Sequence, residues 1–359
     1  MTEIASRMTD RERVEALIKG DKPDRVPIYP FAIGISMTYT QTPIADAFNN
    51  PEVSLSGQRK TCRDFGWLSL PMIAYAAFGS WEFGGDVKWP SGEYAMAPSV
   101  LRRPVEKEED VWKLEVPDVE RAGIVPLQLE FFQLLSQEQL DNEPFNTLCY
   151  TGGPFTKAAN MAGIEELCKW MIKKPETVHR LMRLITDFLK NLIEYWCDNL
   201  GTEGVLPWGA DPSSSNQMIS PRHFEEYALP YTMELNEKTL SLGYKHIFCH
   251  ICGDHNLNLK HWAKIPFGDP GFLSFGHEVD LEKAAENFPH DIIIGNLEPS
   301  ILQTGTPEEV YKATRRVVEI GKKLPAGFIF GPGCEIPPKA PIENLKHMTK
   351  AIEDFGWYD

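Results

Sequence analysis

The run KHIFCHICGD, residues 245–254, sets His250 two positions before Cys252. Side chains alternate across a strand, so the two share a face. The opposite face carries Ile247, Cys249 and Ile251 and is apolar, as helix packing requires. His246, Phe248, His250 and Cys252 form the other face. Imidazole and thiolate are both strong zinc donors, and a catalytic zinc takes three protein ligands and leaves a fourth position open. A third donor must come from another strand. Cys334 follows the apolar run GFIFG in the turn GPGCEIPP, and Gly331 and Gly333 allow that turn a close approach. His250, Cys252 and Cys334 are therefore the candidate metal ligands. On spacing alone the same residues also read as a buried histidine, a buried cysteine and an unrelated loop cysteine. A redox pair of Cys252 with Cys334 is a third reading, and it leaves His250 without a role. Cys249 points to the wrong face to be a ligand.

Other polar residues end apolar runs. Asp211 closes GVLPWGAD, Glu298 closes HDIIIGNLE, and His277 follows FLSFG. Each carboxylate has three possible roles: binding substrate, occupying an open metal position, or capping the next helix. His277 reads either as a donor to a substrate oxygen or as an exposed loop histidine.

These residues need a scaffold that gathers strand ends. In the second half of the chain, apolar runs of strand length alternate with helical periodicity. A helix is predicted over 175–200, where Val178, Leu181, Leu184, Ile185, Phe188, Leu192 and Ile193 recur at helical spacing. Ser220 caps a helix opened by Pro221, Thr306 caps one with Pro307 in its first turn, and Pro341 opens the last. Repeated strand–helix units with short loops mean a parallel sheet. With first strands near RVPIYP and WLSLPMI, there are enough units for an α/β fold of the (β/α)8 TIM-barrel type. Strand ends then gather at one mouth. The chain reads as one domain over 1–359 with an N-terminal helical extension. An inserted hairpin and flap spans about 79–117, where GGDVKWP and SVLRRPVE interrupt the pattern. An open doubly wound sheet is the alternative, weakened because no Gly-x-Gly-x-x-Gly follows a strand.

Composition excludes several classes. Of 359 residues 42% are hydrophobic, enough for a large core, and the formal net charge of −15 disfavours a nucleic-acid partner. Nothing approaches the roughly 18 apolar residues of a membrane span. The N-terminal stretch MTEIASRMTDRERVEALIKG reads as a charged amphipathic helix without a signal peptide's apolar centre, so a cytoplasmic location is expected. The 7 cysteines are odd in number, which favours metal binding or burial over disulfides. Cys168 and Cys197, isolated in helical stretches, are expected to be buried apolar residues.

Four segments carry a resemblance that spans nearly the whole chain: ERVEALIKGDKPDRVPI, SPRHFEEYALPY, GNLEPS and GPGCEIPPKAPIEN. They resemble the uroporphyrinogen decarboxylase superfamily. HICG followed much later by GPGCEIPP resembles its branch of zinc-dependent cobamide methyltransferases. That branch includes methylcobamide:coenzyme M methyltransferases and enzymes that demethylate chloromethane or aryl methyl ethers. The resemblance implies zinc at His250, Cys252 and Cys334, a corrinoid (cobalamin) on a partner protein, and a small thiol or methyl-ether substrate. Asp211, Glu298 and His277 would then be catalytic candidates. The alternatives are a decarboxylase-like lyase and a non-catalytic barrel that binds a corrinoid or small ligand. True decarboxylases carry an arginine-rich segment near the start that holds the substrate carboxylates. The matching stretch here, YPFAIGISMTYTQ, has no arginine, and Glu298 stands where the superfamily usually has Asp.

Overall fold

The computed structural model describes residues 7–92, 95 and 97–358. Six apolar runs form one parallel sheet: β3 (Thr147–Tyr150), β4 (Val205–Ala210), β5 (Phe248–Ile251), β6 (Phe272–Phe275), β7 (Ile292–Leu297) and β8 (Phe328–Pro332), adjacent in chain order. Nearly every residue of these strands is buried, as a parallel sheet covered on both faces demands.

Two further extended segments continue the sheet beyond β8. Tyr29 N donates to Phe330 O at 2.8 Å, and Phe330 N donates to Pro27 O at 2.9 Å. On the far side of that segment, Leu68 N donates to Ile28 O at 2.8 Å. These are the runs RVPIYP and WLSLPMI. Their prolines at 27, 30 and 71 lack an N–H, which keeps the pairing short. The result is the eight-position order of a (β/α)8 barrel. Between residues 68–73 and β3 no backbone bond forms among the described residues. Side chains pack beside that seam: Gln128 Nε2, from the helix Val125–Gln137, donates to Ile73 O at 2.9 Å, and the Phe78 and Tyr150 rings meet edge to face at 5.1 Å.

Helices cover the sheet. Pro175–Leu200 has Pro at its first position and buries the predicted apolar stripe. Pro307–Gly321 begins with a reciprocal cap between Thr306 and Glu309, and Ile342–Phe355 follows Pro341. A second capping box, Thr9 with Glu12, starts Asp10–Ile18. The predicted N-terminal helix covered residues 1–20, of which 1–6 lie outside the described residues. The helix after Ser220 is not continuous. Pro221–His223 passes into a single π turn, Phe224–Ala228, before Leu229–Ser241. Pro230 has no N–H to give the Glu226 carbonyl, so the ladder widens there.

The insertion contains an antiparallel hairpin, β1 (Asp86–Lys88) with β2 (Ser99–Arg102). Residues 93, 94 and 96 of this insertion lie outside the described residues.

Candidate metal centre

Register fixes the first ligand. Ala210 of β4, His250 of β5 and Ser274 of β6 lie side by side across the sheet. His250 Nδ1 is 3.0 Å from Ser274 Oγ. Its other nitrogen, Nε2, is buried and makes no hydrogen bond, an expensive arrangement unless something else binds it. Cys252 lies one residue past β5 and Cys334 two past β8. The turn carrying Cys334 comes very close to the loop after β6. A Cβ on Gly333 would lie 2.6 Å from His277 N, so only glycine fits.

The three donors converge. Donor atoms of His250, Cys252 and Cys334 lie within 4.8 Å of one another, the one such cluster among the described residues. The two sulfurs are 3.7 Å apart. Two thiolates at zinc–sulfur bonds of about 2.3 Å and tetrahedral angles sit about 3.8 Å apart, so the spacing suits zinc without rearrangement. Ser274 bonded to Nδ1 orients the imidazole and leaves Nε2 for a metal. The hydrogen bond between the cysteines raises the Cys252 pKa, with burial adding to it. The same bond lowers that of Cys334, helped by His250 and opposed by burial. One sulfur is thus a ready thiolate.

The neighbours of this cluster were not found by sequence reasoning. Phe31 has φ 41, a conformation that strains a non-glycine residue. It is pinned there because Ile336 N donates to its carbonyl at 3.0 Å and Gly34 N donates to Glu335 Oε1 at 2.7 Å. The ring is thereby held edge-on to His250 at 5.3 Å and to Trp208 at 5.7 Å. Glu335, next to Cys334, is half-buried, and the surrounding protein pushes its pKa up to about 8. Its place beside Cys334 in GPGCEIPP was the available signal. Lys157 is enclosed, and burial lowers its pKa to about 8. Its Nζ donates to Tyr150 Oη at 3.0 Å and lies over the Phe78 and Tyr150 rings.

The three predicted catalytic residues sit in different surroundings. Asp211 is 1% exposed, and its Oδ1 accepts from Thr156 N at 2.6 Å. It therefore caps the helix Pro154–Ala162, which precedes it in the chain, rather than the next one. Gly153, the N-cap of that helix, has no side chain to do so. Asp211 Oδ2 has no partner, and burial raises the Asp211 pKa. His277 is exposed at the rim, its Nδ1 3.4 Å from a Glu278 carboxylate oxygen. Glu298 is half-buried and accepts from Ser300 Oγ at the start of the helix Pro299–Thr304.

Two cavities flank the sulfurs. An inner one of about 250 Å3 reaches Phe31, Tyr75, Tyr150, Trp208 and Glu335. An outer one of about 360 Å3 opens at the rim between Ser213, Gln217, Met218, His277 and Glu278.

A barrel whose strand ends gather a His–Cys–Cys cluster defines a class of protein with a candidate metal-binding mouth. The chain belongs to the uroporphyrinogen decarboxylase (URO-D) family, whose model matches residues 9–355. Among relatives, it is 28% identical over 361 residues to the methylcobamide:CoM methyltransferase MtbA of Methanosarcina acetivorans, covering 97% of this chain and 99% of that protein. It is also 28% identical over 272 residues to the uroporphyrinogen decarboxylase of Geobacter sulfurreducens, covering 70% and 72%. A solved methyltransferase from Methanosarcina mazei shares the fold, with a TM-score of 0.79 at 22% identity, covering 97% of this chain and 99% of that one.

Proposed function

We propose that this chain is a zinc-dependent methyltransferase that moves a methyl group between a corrinoid protein and a small thiol or methyl ether. The observation that carries the reading is the convergence of His250, Cys252 and Cys334 around a buried imidazole nitrogen with no other partner. The names of the relatives, methylcobamide:CoM methyltransferases, support the corrinoid partner and the thiol chemistry. Bound by these three residues, zinc supplies Lewis acidity that holds a sulfur as thiolate or draws charge from an ether oxygen.

The chain's own residues do the rest. Ser274 fixes the His250 ring so that Nε2 faces the sulfurs. The low pKa of Cys334 keeps it a thiolate donor, and Cys252 gives up its proton when metal binds. Phe31, Trp208 and the Tyr150 ring exclude water from the inner cavity, which strengthens every charge interaction there. Asp211 and Glu298 orient substrate or occupy the fourth position, and His277 serves a substrate oxygen at the rim.

Residues 1–359 act as one barrel domain with the insertion at its mouth, in the cytoplasm, without a nucleic-acid or membrane partner. No helix of the described residues is long and apolar enough to cross a membrane.

The test is to mix purified, metal-analysed protein with cob(I)alamin and methyl ethers, and with methylcobalamin and thiols, following the cobalt spectrum. About one zinc per chain and a spectral change with at least one donor or acceptor are expected. Turnover of uroporphyrinogen with an unchanged cobalt spectrum selects the decarboxylase reading instead.

A further inference from the structure

The walls around the sulfurs define the charge of what can enter. The inner cavity is lined by four aromatic rings, Phe31, Tyr75, Tyr150 and Trp208, together with the small residues Ala74 and Ala76. The Trp208 and Tyr150 rings are 5.5 Å apart and tilted by 31°, and Phe31 stands edge-on to Trp208. No lysine or arginine is among the described residues lining either cavity beside the sulfurs. The ionisable side chains that line them, apart from the three donors and the phenols, are Glu335 inside and His277 and Glu278 at the rim.

Lys157 bonds to Tyr150 in the wall of the inner cavity, but it does not itself line the cavity. It is 1% exposed, and Tyr150 stands between its ammonium and the cavity, accepting its hydrogen bond. The loop over it leaves no slack: a Cβ on Gly152 would lie 1.9 Å from Nζ. Zinc held by two thiolates and a neutral imidazole would add no net charge, so an anion in the inner cavity would lose its water and meet rings and a carboxyl group without a compensating side-chain cation, which is strongly unfavourable. A neutral ring meets the opposite situation. Offset and edge-to-face ring contacts are available on several sides. A dry cavity of about 150 Å3 already holds benzene, so about 250 Å3 accommodates one ring and a short arm.

We infer that the inner cavity selects an uncharged, ring-bearing methyl carrier and rejects anionic ones, including the sulfonated thiol coenzyme M named for its relatives. The inference rests on the methyl-transfer reading for its chemistry, but the selectivity belongs to the walls alone.

Three thiols with one ethanethiol arm isolate the effect: 2-phenylethanethiol, 2-mercaptoethanol and 2-mercaptoethanesulfonate. The arm offers the same sulfur to the metal in each case, so differences report the cavity. Binding to the zinc-loaded wild-type protein is read by calorimetry and by tryptophan quenching. The phenyl thiol is expected to bind roughly 30-fold tighter than the hydroxyl thiol, the gain from two or more ring contacts. The sulfonate is expected to bind roughly tenfold weaker than the hydroxyl thiol or not at all. Trp208→Leu should shrink the phenyl advantage over the hydroxyl thiol to about threefold, both thiols being measured on the same zinc-loaded variant so that any general loss of thiol binding cancels in the ratio. Sulfonate binding equal to or tighter than phenyl binding overturns the inference, as does equal binding of all three. The expected binding order without methyl exchange between any thiol or ether and cobalamin keeps the inference and removes the methyl-transfer reading. Exchange with the opposite order does the reverse.

Discussion

Two sets of buried polar groups lie at opposite ends of the strands, and they are built on different terms. Before β3, Glu143 is 2% exposed and fully occupied. It accepts from Arg59 Nε and Nη2 at 2.9 and 2.8 Å, from Ser69 Oγ at 2.7 Å and from Leu140 N at 3.1 Å. At the mouth, His250 Nε2 near the end of β5 and Asp211 Oδ2 just past β4 have no partner. Buried polar groups in a folded protein are normally paired. The satisfied set holds the barrel together. Unpaired buried atoms also occur elsewhere, Arg25 Nε and Tyr244 Oη among them, but His250 Nε2 differs in that two sulfurs converge with it.

That contrast is open to attack from both sides. The largest effect is expected at the mouth. Cys334→Ser should abolish stoichiometric zinc and cut methyl transfer roughly 10^3-fold, about 4 kcal/mol, while the urea midpoint of the metal-free protein barely moves. Full zinc content in that variant removes Cys334 from the metal site. At the other end, Glu143→Ala removes the acceptor of Arg59 Nε, Ser69 Oγ and Leu140 N, leaves Arg59 only Glu138, and should cost about 3 kcal/mol in urea unfolding, with zinc content per folded chain unchanged. A cost near zero would erase the distinction between the two ends.

Ser274→Ala probes the support behind the imidazole. Losing the oxygen beside His250 Nδ1 should weaken zinc affinity about 10- to 100-fold in a chelator competition, with little change in stability. An unaltered affinity would mean that strand register alone aims the ring.

The smallest effect is a pH slope. Burial raises the Asp211 pKa above its ordinary 3.8, so the folded state holds that proton more tightly than the unfolded chain. Stability linked to this proton is present below that ordinary value and is lost as pH rises through the folded value. Asp211→Asn keeps an oxygen for Thr156 N but has no charge to bury. Its melting temperature relative to wild type should therefore climb as pH is raised from 4 toward 7. A constant difference would show that ionising Asp211 costs nothing.

How far the sequence anticipates this site depends on the distance over which each feature is determined. His250 and Cys252 are readable because strand alternation is local, and Cys334 because a glycine-flanked turn after an apolar run is local too. Helix Pro175–Leu200 is readable from its own spacing. Phe31 is different: its strained φ is enforced by Ile336, far along the chain, and no residue near Phe31 signals it. Lys157 sits in an ordinary helical stretch, and only the fold reveals that Tyr150 and Phe78 enclose it. Asp211 has the sequence position of a cap for the helix after it. It caps an earlier helix instead, because two parallel strands bring its carboxylate over a glycine in the neighbouring loop. The π turn at Phe224–Ala228 is encoded by Pro230, but the helical apolar pattern runs through it and conceals it.

The pairing of the first barrel segment with β8 has a consequence for how the chain is made. Tyr29 finds Phe330, and Gly34 finds Glu335 across 301 residues of sequence. A ribosome adding roughly 5–20 residues per second takes about 15–60 s to synthesise that interval. Throughout that time the edge at Pro27–Tyr29 has no β8 to pair with, and Phe31 has nothing to hold its backbone. Cys334 emerges only after β8 itself. The metal site therefore forms only once β8 and the turn after it have been made, by the same event that joins the first barrel segment to β8, and a chain truncated before β8 has neither.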